Sequence, residues 1–204
     1  MREMTAILAN GDFPAMGGKA WALMASAARI VACDGAGARL KALSRRQPNA
    51  AELPPIFTIG DGDSGEVDLK IQEQETNDLE KAYRYCLAHG WRDITIFGAG
   101  GGREDHALGN IFRALEWGVD VVGDFGTFHA LSPENSPLAL KTEKGRAISV
   151  FAADPDTRMA SDGLEWPLDG VKFKNLYCAT LNRAAKDDVV LSADRKVFVY
   201  VAEA

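Results

Sequence analysis

The first half of the chain repeats one pattern, in which a short apolar run ends in a loop that carries glycine and aspartate. Runs of this kind lie at residues 6–9, 29–32, 56–59 and 94–97. Helical patterns lie between them, at 19–28 and 79–89. Strands that alternate with helices predict an α/β domain with a mostly parallel sheet flanked by helices. Because ligands bind at the carboxyl ends of such strands, we expect the polar loops to form one site.

The pattern changes in the last third of the chain. Turn signals there separate short extended runs, predicted at 138–142, 147–151, 171–176, 189–191 and 196–201. We therefore expect an α/β domain over residues 1–131 and an all-β domain, a sandwich or small barrel, over 132–204. A core of about 70 residues is marginal by itself, so a homodimer formed through the second domain would be a natural remedy.

Charge and cysteine content exclude several functions. The formal net charge is −6, which argues against electrostatic binding to nucleic acid or to an anionic membrane. Cys33, Cys86 and Cys178 are far apart, so neither a disulfide framework nor a zinc site is indicated. The sequence has neither an apolar signal region at its start nor a run of about 18 apolar residues. A soluble, cytoplasmic protein is predicted.

The stretch from Gly98 to His106 reads Gly-Ala-Gly-Gly-Gly-Arg-Glu-Asp-His and connects a predicted strand to a predicted helix. Glycine N–H groups and a helix N-terminus suit a phosphate. Arg103 suits a phosphate as a bidentate donor, and Asp105 suits a metal ion or a proton. The alternative is a glycine-rich turn in which Asp105 is an ordinary N-cap. Taken alone, this stretch does not favour a phosphate site over a structural turn.

Aspartates follow two further predicted strands, and another lies at the start of a predicted helix. Asp61 and Asp63 flank Gly62, so both carboxylates can address one Mg²⁺ ion, although Asp and Gly are also common in turns. In Thr76-Asn77-Asp78, the first two residues are candidate N-caps, so this segment needs no ligand to explain it. Asp34 can likewise be either a helix cap or a ligand-binding residue. Each segment alone favours a structural role. Together they concentrate like charge, which favours a site that binds a cation.

In this order and spacing the motifs resemble those of the thiamine pyrophosphokinase family. The resemblance spans nearly the whole chain. It is carried by Cys33–Ala36, Gly60–Ser64, Thr76–Asp78 with Leu-Glu-Lys81 following, Gly98–His106 with Asn110, Gly163–Leu168 and Asn182.

The resemblance implies an N-terminal α/β domain that binds ATP and magnesium, and a C-terminal β-sandwich that binds thiamine. It implies a homodimer with its sites at the subunit junction. The implied reaction transfers the pyrophosphoryl group of ATP to the hydroxyl of thiamine, which gives thiamine diphosphate and AMP.

The resemblance also implies roles for particular residues. Asp61, Asp63 and Asp78 would form the magnesium cluster, with Asp105 as a further ligand or as the base. Asp63, Asp78, Arg103 and Asp105 are the expected catalytic residues. Stacking of the thiamine cation on an indole is favoured by cation–π attraction. On the ATP side we expect Asp34, Gly100, Gly101, Gly102, Arg103 and His106, and on the thiamine side Trp166 and Asn182.

Three positions depart from the family pattern. Gly62 stands where an aromatic residue is usual, Glu73 replaces an aspartate, and Leu181 replaces a serine. Two other functions stay open, namely a magnesium-dependent nucleoside polyphosphate hydrolase and a non-catalytic nucleotide or thiamine sensor. A partly buried core indole is the alternative for Trp166.

Overall fold

The computed structural model describes residues 3–46, 53–63, 65–73 and 75–203. Ser64, the last residue of the Gly-Asp-Gly-Asp-Ser motif, lies outside the described residues. The chain divides into two compact units, Met1–Ile111 with Val121–Asp124 and Phe112–Asp120 with Phe125–Ala204. The boundary at residue 131 between functional domains stays a prediction.

The elements up to residue 123 alternate between strands and helices, except that β4 follows β3 directly. In chain order they are β1 Thr5–Leu8, α1 Lys19–Ala25, β2 Arg29–Cys33, α2 Gly35–Arg46, β3 Ile56–Gly60, β4 Leu69–Lys70, α3 Asp78–Ala88, β5 Ile94–Phe97, α4 Glu104–Trp117 and β6 Asp120–Gly123. In the first unit, strands β5, β1, β2, β3 and β4 are neighbours in that order, and all are parallel. The predicted α/β fold of this part of the chain is confirmed.

The register of the parallel strands aligns their carboxyl ends. Leu8 at the end of β1 lies opposite Ala32 and Phe97, and Cys33 lies opposite Ile59. All four residues of β1 are buried, since a parallel strand is covered on both faces. The loops that follow β1, β2, β3 and β5 therefore start at one edge of the sheet, as the sequence predicts.

Helix α3 begins at the motif that supplies one of these polar side chains. Asn77 is its N-cap, with extended backbone, and its Oδ1 accepts a hydrogen bond of 2.9 Å from the Glu80 N–H. Asp78 and Glu80 lie in the first turn, where negative charge is favourable. Of the two candidate caps, Asn77 is the one used.

The second unit is an antiparallel β-structure of two sheets. Its strands are β7 Gly126–Leu131, β8 Leu138–Lys141, β9 Ala147–Ala152, β10 Met159–Asp162, β11 Ala179–Arg183, β12 Asp188–Ala193 and β13 Val197–Ala202. One sheet has the order β11-β9-β13-β7 and the other β10-β12-β8. Buried side chains from both sheets, among them Ile148, Val150, Leu191 and Val199, share one core. This arrangement is the predicted sandwich.

The predicted strand at 171–176 is wrong. Phe173 is buried between exposed Lys172 and Lys174, which imitates strand alternation, but the segment is irregular and ends in a turn. Asn175 closes that turn, because its Oδ1 accepts a hydrogen bond of 3.1 Å from the Tyr177 N–H. The sequence analysis also missed β10 and β11, whose side chains are largely polar or small and give little apolar pattern.

Within the described part of the chain, none of the helices combines the length and the apolar character needed to cross a bilayer.

Candidate active site

The aligned strand ends of the first unit open into a cleft of about 450 Å³. It brings together most of the residues predicted for the ATP and metal side. These are Asp34, Asp61, Asp78, Gly101, Gly102, Arg103 and His106. Among the described residues, Asp63, Gly100 and Asp105 do not line the cleft. Their assigned roles stay predictions.

Three carboxylates converge in this cleft and are called the acid trio here: Asp34, Asp61 and Asp78. One oxygen from each lies within 4.8 Å of the others. Asp34 follows β2, Asp61 follows β3, and Asp78 is the first residue of α3. Hard oxygen ligands from two or three carboxylates suit Mg²⁺ better than zinc or copper, so the donor set fits the predicted ion.

Asp34 is held in place by a close approach between two strand ends. Its backbone lies in the left-handed region, with φ of 37°, and its N–H donates a hydrogen bond of 2.7 Å to the Ile59 carbonyl. A Cβ atom at Gly60 would lie 2.8 Å from the Asp34 Cβ. Glycine is therefore favoured at 60, because a side chain there could be accommodated only if Asp34 or the strand end moved.

Sequence analysis assigned Asp34 to the ATP side, and the geometry adds it to Asp61 and Asp78 as a further candidate metal ligand. The available signal was its position. Like Asp61, it comes directly after an apolar strand.

Asp78 forms an ion pair with Lys81, a buried residue to which the sequence analysis assigned no role. The Lys81 Nζ donates a hydrogen bond of 3.1 Å to the Asp78 Oδ1, and the Lys81 side chain is only 3% exposed. Burial raises the pKa of Asp78, and the nearby Asp61 and Asp34 charges add to this, whereas Lys81 opposes it. The i, i+3 spacing of Asp78 and Lys81 on the predicted helix was the signal that could have identified the pair.

Glu73, one of the three departures, folds back onto its own loop. Its Oε2 accepts hydrogen bonds from the N–H groups of Glu75 and Thr76, at 2.8 and 3.1 Å. Its Oε1 accepts a short bond from the Thr76 hydroxyl, which is the main cause that lowers the pKa of Glu73. Glu73 thus shapes the entry to α3.

The glycine-rich loop after β5 is braced by the loop after β1. The Gly11 N–H donates to the Gly98 carbonyl at 2.9 Å, and the Asp12 N–H donates to the Gly100 carbonyl at 2.7 Å. Gly101 has a φ of 75°, and a Cβ atom there would overlap the Asp12 carboxylate. Only glycine allows this close packing of the two loops.

Arg103 and Asp105 form a bidentate ion pair at the start of α4. The Arg103 Nε and Nη2 donate to the Asp105 carboxylate at 3.1 and 2.6 Å, and the His106 N–H donates to it at 2.9 Å. These bonds, led by the one from Arg103, hold the pKa of Asp105 below its usual value. The pair is mostly exposed, so Arg103 can exchange this partner for a phosphate.

Asp63 lies on the surface next to the cleft. Its N–H donates a hydrogen bond of 3.1 Å to the Asp61 Oδ1, so the turn at 61–63 orients one member of the acid trio. Gly62 has a φ of 82°, a conformation that favours glycine. This backbone explains the glycine at a position where the family usually has an aromatic residue.

The residues predicted for thiamine lie in a groove of about 300 Å³ in the second unit, lined in part by Leu168, Cys178 and Leu181. Trp166 also lines it and is 58% exposed, so its indole is a surface group and not part of a core. Asn182 is buried. Its Oδ1 accepts from the Trp166 N–H at 3.2 Å, and its Nδ2 donates to the Trp166 carbonyl at 2.7 Å. Asn182 therefore fixes the backbone that carries the ring.

Two family models match the chain. The one described as thiamin pyrophosphokinase, catalytic domain, matches residues 20–121. The one described as thiamin pyrophosphokinase, substrate-binding domain, matches residues 126–200. Among curated proteins, no relative matches the chain.

Solved structures of similar fold cover nearly the whole chain. Thiamine pyrophosphokinase from Bacillus subtilis is 18% identical over 98% of both chains, with a TM-score of 0.76. Thiamin pyrophosphokinase from Candida albicans is 13% identical over 98% of this chain and 90% of the other, with a TM-score of 0.76. The yeast structure of the same description is 13% identical over 98% and 86%, with a TM-score of 0.74. At these identities the structures establish the fold.

Proposed function

The chain belongs to the thiamin pyrophosphokinase family, and on that premise we propose that it is a thiamine diphosphokinase. It transfers the pyrophosphoryl group of ATP to the hydroxyl of thiamine and yields thiamine diphosphate and AMP. The observation that carries this proposal is a single cleft that combines the acid trio, the glycine-rich loop and Arg103.

The reaction is an in-line displacement at the β-phosphorus of ATP. The thiamine hydroxyl oxygen forms a bond to that phosphorus, and the bond from the phosphorus to the oxygen of the α-phosphate breaks. AMP leaves with the electron pair, and the hydroxyl proton passes to a general base or to water. Little covalent chemistry is required of the protein, so positioning and charge stabilisation provide most of the catalysis.

The acid trio would hold Mg²⁺ in this cleft, and Asp63 and Asp105 stay in the proposed ligand set because of the family resemblance. When bound, the ion neutralises charge that develops on the phosphate oxygens. Carboxylates alone would repel a polyphosphate, so the acid trio requires such a counter-charge.

Phosphate binding is proposed for Arg103, for the N–H groups of Gly100, Gly101 and Gly102, and for His106 at the start of α4. A helix N-terminus and a glycine-rich loop favour anions. The pKa of Asp105 is lowered mainly by its bond to Arg103, and this bond would be lost when Arg103 turns to a phosphate. Asp105 is therefore proposed as a metal ligand or as the general base.

Thiamine binding is proposed for the groove of the second unit. The exposed Trp166 ring offers a flat surface for an aromatic cation, and Asn182 holds its backbone. A cytoplasmic homodimer is part of the same proposal. It is supported by exposed Phe125, Tyr177 and Leu181 in the second unit, since large apolar side chains at a surface favour association. Sedimentation analysis tests the dimer.

The decisive experiment incubates the purified protein with ATP, Mg²⁺ and thiamine and separates the products by chromatography. We expect thiamine diphosphate and AMP in equal amounts, with neither formed when thiamine is omitted or EDTA is added. Formation of ADP, or ATP breakdown that does not need thiamine, would overturn the proposal and favour the hydrolase. Binding without turnover would favour the sensor.

A further inference from the structure

Lys81 is a charged residue in an unusual position. It belongs to the first turns of α3 and lines the cleft, yet its side chain is 3% exposed. Burial of an ammonium group is costly unless the charge is paired and hydrogen-bonded. Packing alone therefore does not explain why a charged residue occupies this buried position.

The carboxylates around Lys81 explain why a charge is kept at this position. The Lys81 Nζ lies 3.1 Å from the Asp78 Oδ1, and Asp78 shares the acid trio with Asp34 and Asp61. Three carboxylates that lie within 4.8 Å of one another repel each other strongly where water is partly excluded. A buried ammonium beside one of them reduces this repulsion.

A second ion pair on the same helix shows the contrast. Arg84 pairs with Glu80 at 2.6 Å, but the Arg84 side chain is 62% exposed. Water screens the Arg84 end of this pair, although the Glu80 side chain is only 10% exposed. The Lys81–Asp78 pair differs because its cation is buried, with 3% exposure against 62% for Arg84, and because two further carboxylates lie close to Asp78.

We propose that Lys81 is the built-in counterion of the acid trio and a positioning residue of the active site. It holds the Asp78 carboxylate in place and offsets the repulsion among the three acids when no metal is bound. The inference deepens the proposed function, because it concerns the same cleft. The main test of the counterion role uses neither metal nor substrate. The counterion role and the proposed function can therefore fail separately.

The test compares melting temperatures in EDTA. Lys81→Met keeps the length of the side chain and removes the charge, so we expect its Tm to fall by about 5–10 °C. Neutralising a member of the acid trio should relieve the repulsion. The double variants Lys81→Met/Asp61→Asn and Lys81→Met/Asp78→Asn should each recover at least half of the loss.

The pattern of recovery separates three explanations. Recovery by both aspartate substitutions supports a counterion of the whole trio. Recovery by Asp78→Asn alone would mean that Lys81 is the partner of a single carboxylate. Recovery by neither substitution would mean that Lys81 stabilises the fold only by packing. Either result would overturn the proposal. Arg84→Met is the matched control on α3, and neither aspartate substitution should restore its small loss.

Failure of Lys81→Met to fold would still give a decisive answer. Recovery of soluble, folded protein in the double variant with Asp61→Asn would support the counterion role. If that double variant also failed to fold while Lys81→Arg, which keeps the charge, was unstable as well, the proposal would be overturned.

A kinetic measurement separates positioning from stability alone. We expect Lys81→Met to lower kcat at least tenfold at a temperature where it is fully folded, while the KM for thiamine stays within twofold, because the groove at Trp166 is unchanged. Lys81→Arg should recover part of kcat. An unchanged kcat in Lys81→Met would contradict the positioning role, and absence of activity in the unsubstituted protein would count against the proposed function instead.

Discussion

The cleft of the first unit and the groove of the second differ in how their functional groups are held. In the cleft, charged side chains are partly buried and tied by specific bonds, such as Lys81 to Asp78 and the Asp63 N–H to Asp61. In the groove, a large ring is exposed and only its backbone is tied, by Asn182. Charge must be fixed in advance to act on a phosphate, whereas a stacking surface only has to be available.

This contrast predicts different consequences of substitution. A change in the cleft should remove turnover with little effect on thiamine affinity. A change in the groove should act mainly on thiamine binding.

Asp61→Asn should have the largest effect. It removes one charge from the acid trio but keeps the size of the side chain, so we expect kcat/KM to fall by about 10³-fold while the Tm in EDTA stays equal or rises. Product formation and thermal melts measure both. Asp156→Asn, at an exposed position of the second unit, is the control, and a similar loss in that variant would contradict the assignment.

Trp166→Ala should have the next largest effect. Loss of the stacking surface should raise the KM for thiamine roughly 10–100-fold, with kcat within about threefold. Because the ring is 58% exposed, the Tm should change little. Leu23→Ala removes an apolar side chain of α1 that is 42% exposed and lies outside the groove, so its KM should stay near that of the unsubstituted protein. An equal rise of the KM for thiamine in both variants would contradict the stacking role of Trp166.

Asn182→Ala should produce a moderate effect of mixed kind. It breaks two hydrogen bonds to the Trp166 backbone and a third from the Arg183 N–H. Buried polar groups left without partners should lower the Tm by about 3–10 °C. The KM for thiamine should rise less than in Trp166→Ala. A lowered Tm with unchanged KM would mean that Asn182 stabilises the sandwich without positioning the ring.

Thiol reactivity should show the smallest and most local difference. Cys178 is exposed, whereas Cys33 and Cys86 are buried. Burial raises the pKa of both buried thiols, that of Cys86 to about 12, so they stay neutral and unreactive at pH 8. A chromogenic disulfide should therefore titrate one thiol rapidly in the native chain and three in denaturant. Cys178→Ser should abolish the rapid phase, and a second fast thiol would contradict the burial of Cys33 and Cys86.

The sequence predicted the secondary structure of the first unit more completely than that of the second, for a physical reason. Strand ends, the Asn77 cap and the acids of the cleft follow from residue type and short spacing. Spacing along the chain indicates the Asp78–Lys81 pair, but the meeting of Asp34 and Asp61 with that pair depends on which loops approach each other in space. In the second unit, the buried Phe173 imitated a strand, while β10 and β11 are held by backbone pairing and their side chains give little signal.

The exposed indole also gives the molecule a built-in optical probe. The chain has four tryptophans. Trp21 is 4% exposed and Trp166 is 58% exposed, so a water-borne quencher such as iodide should dim Trp166 far more than Trp21. Light emitted by Trp166 should lie at longer wavelength, because water relaxes around its excited state. Occupation of the groove can thus be followed by fluorescence in the unlabelled protein.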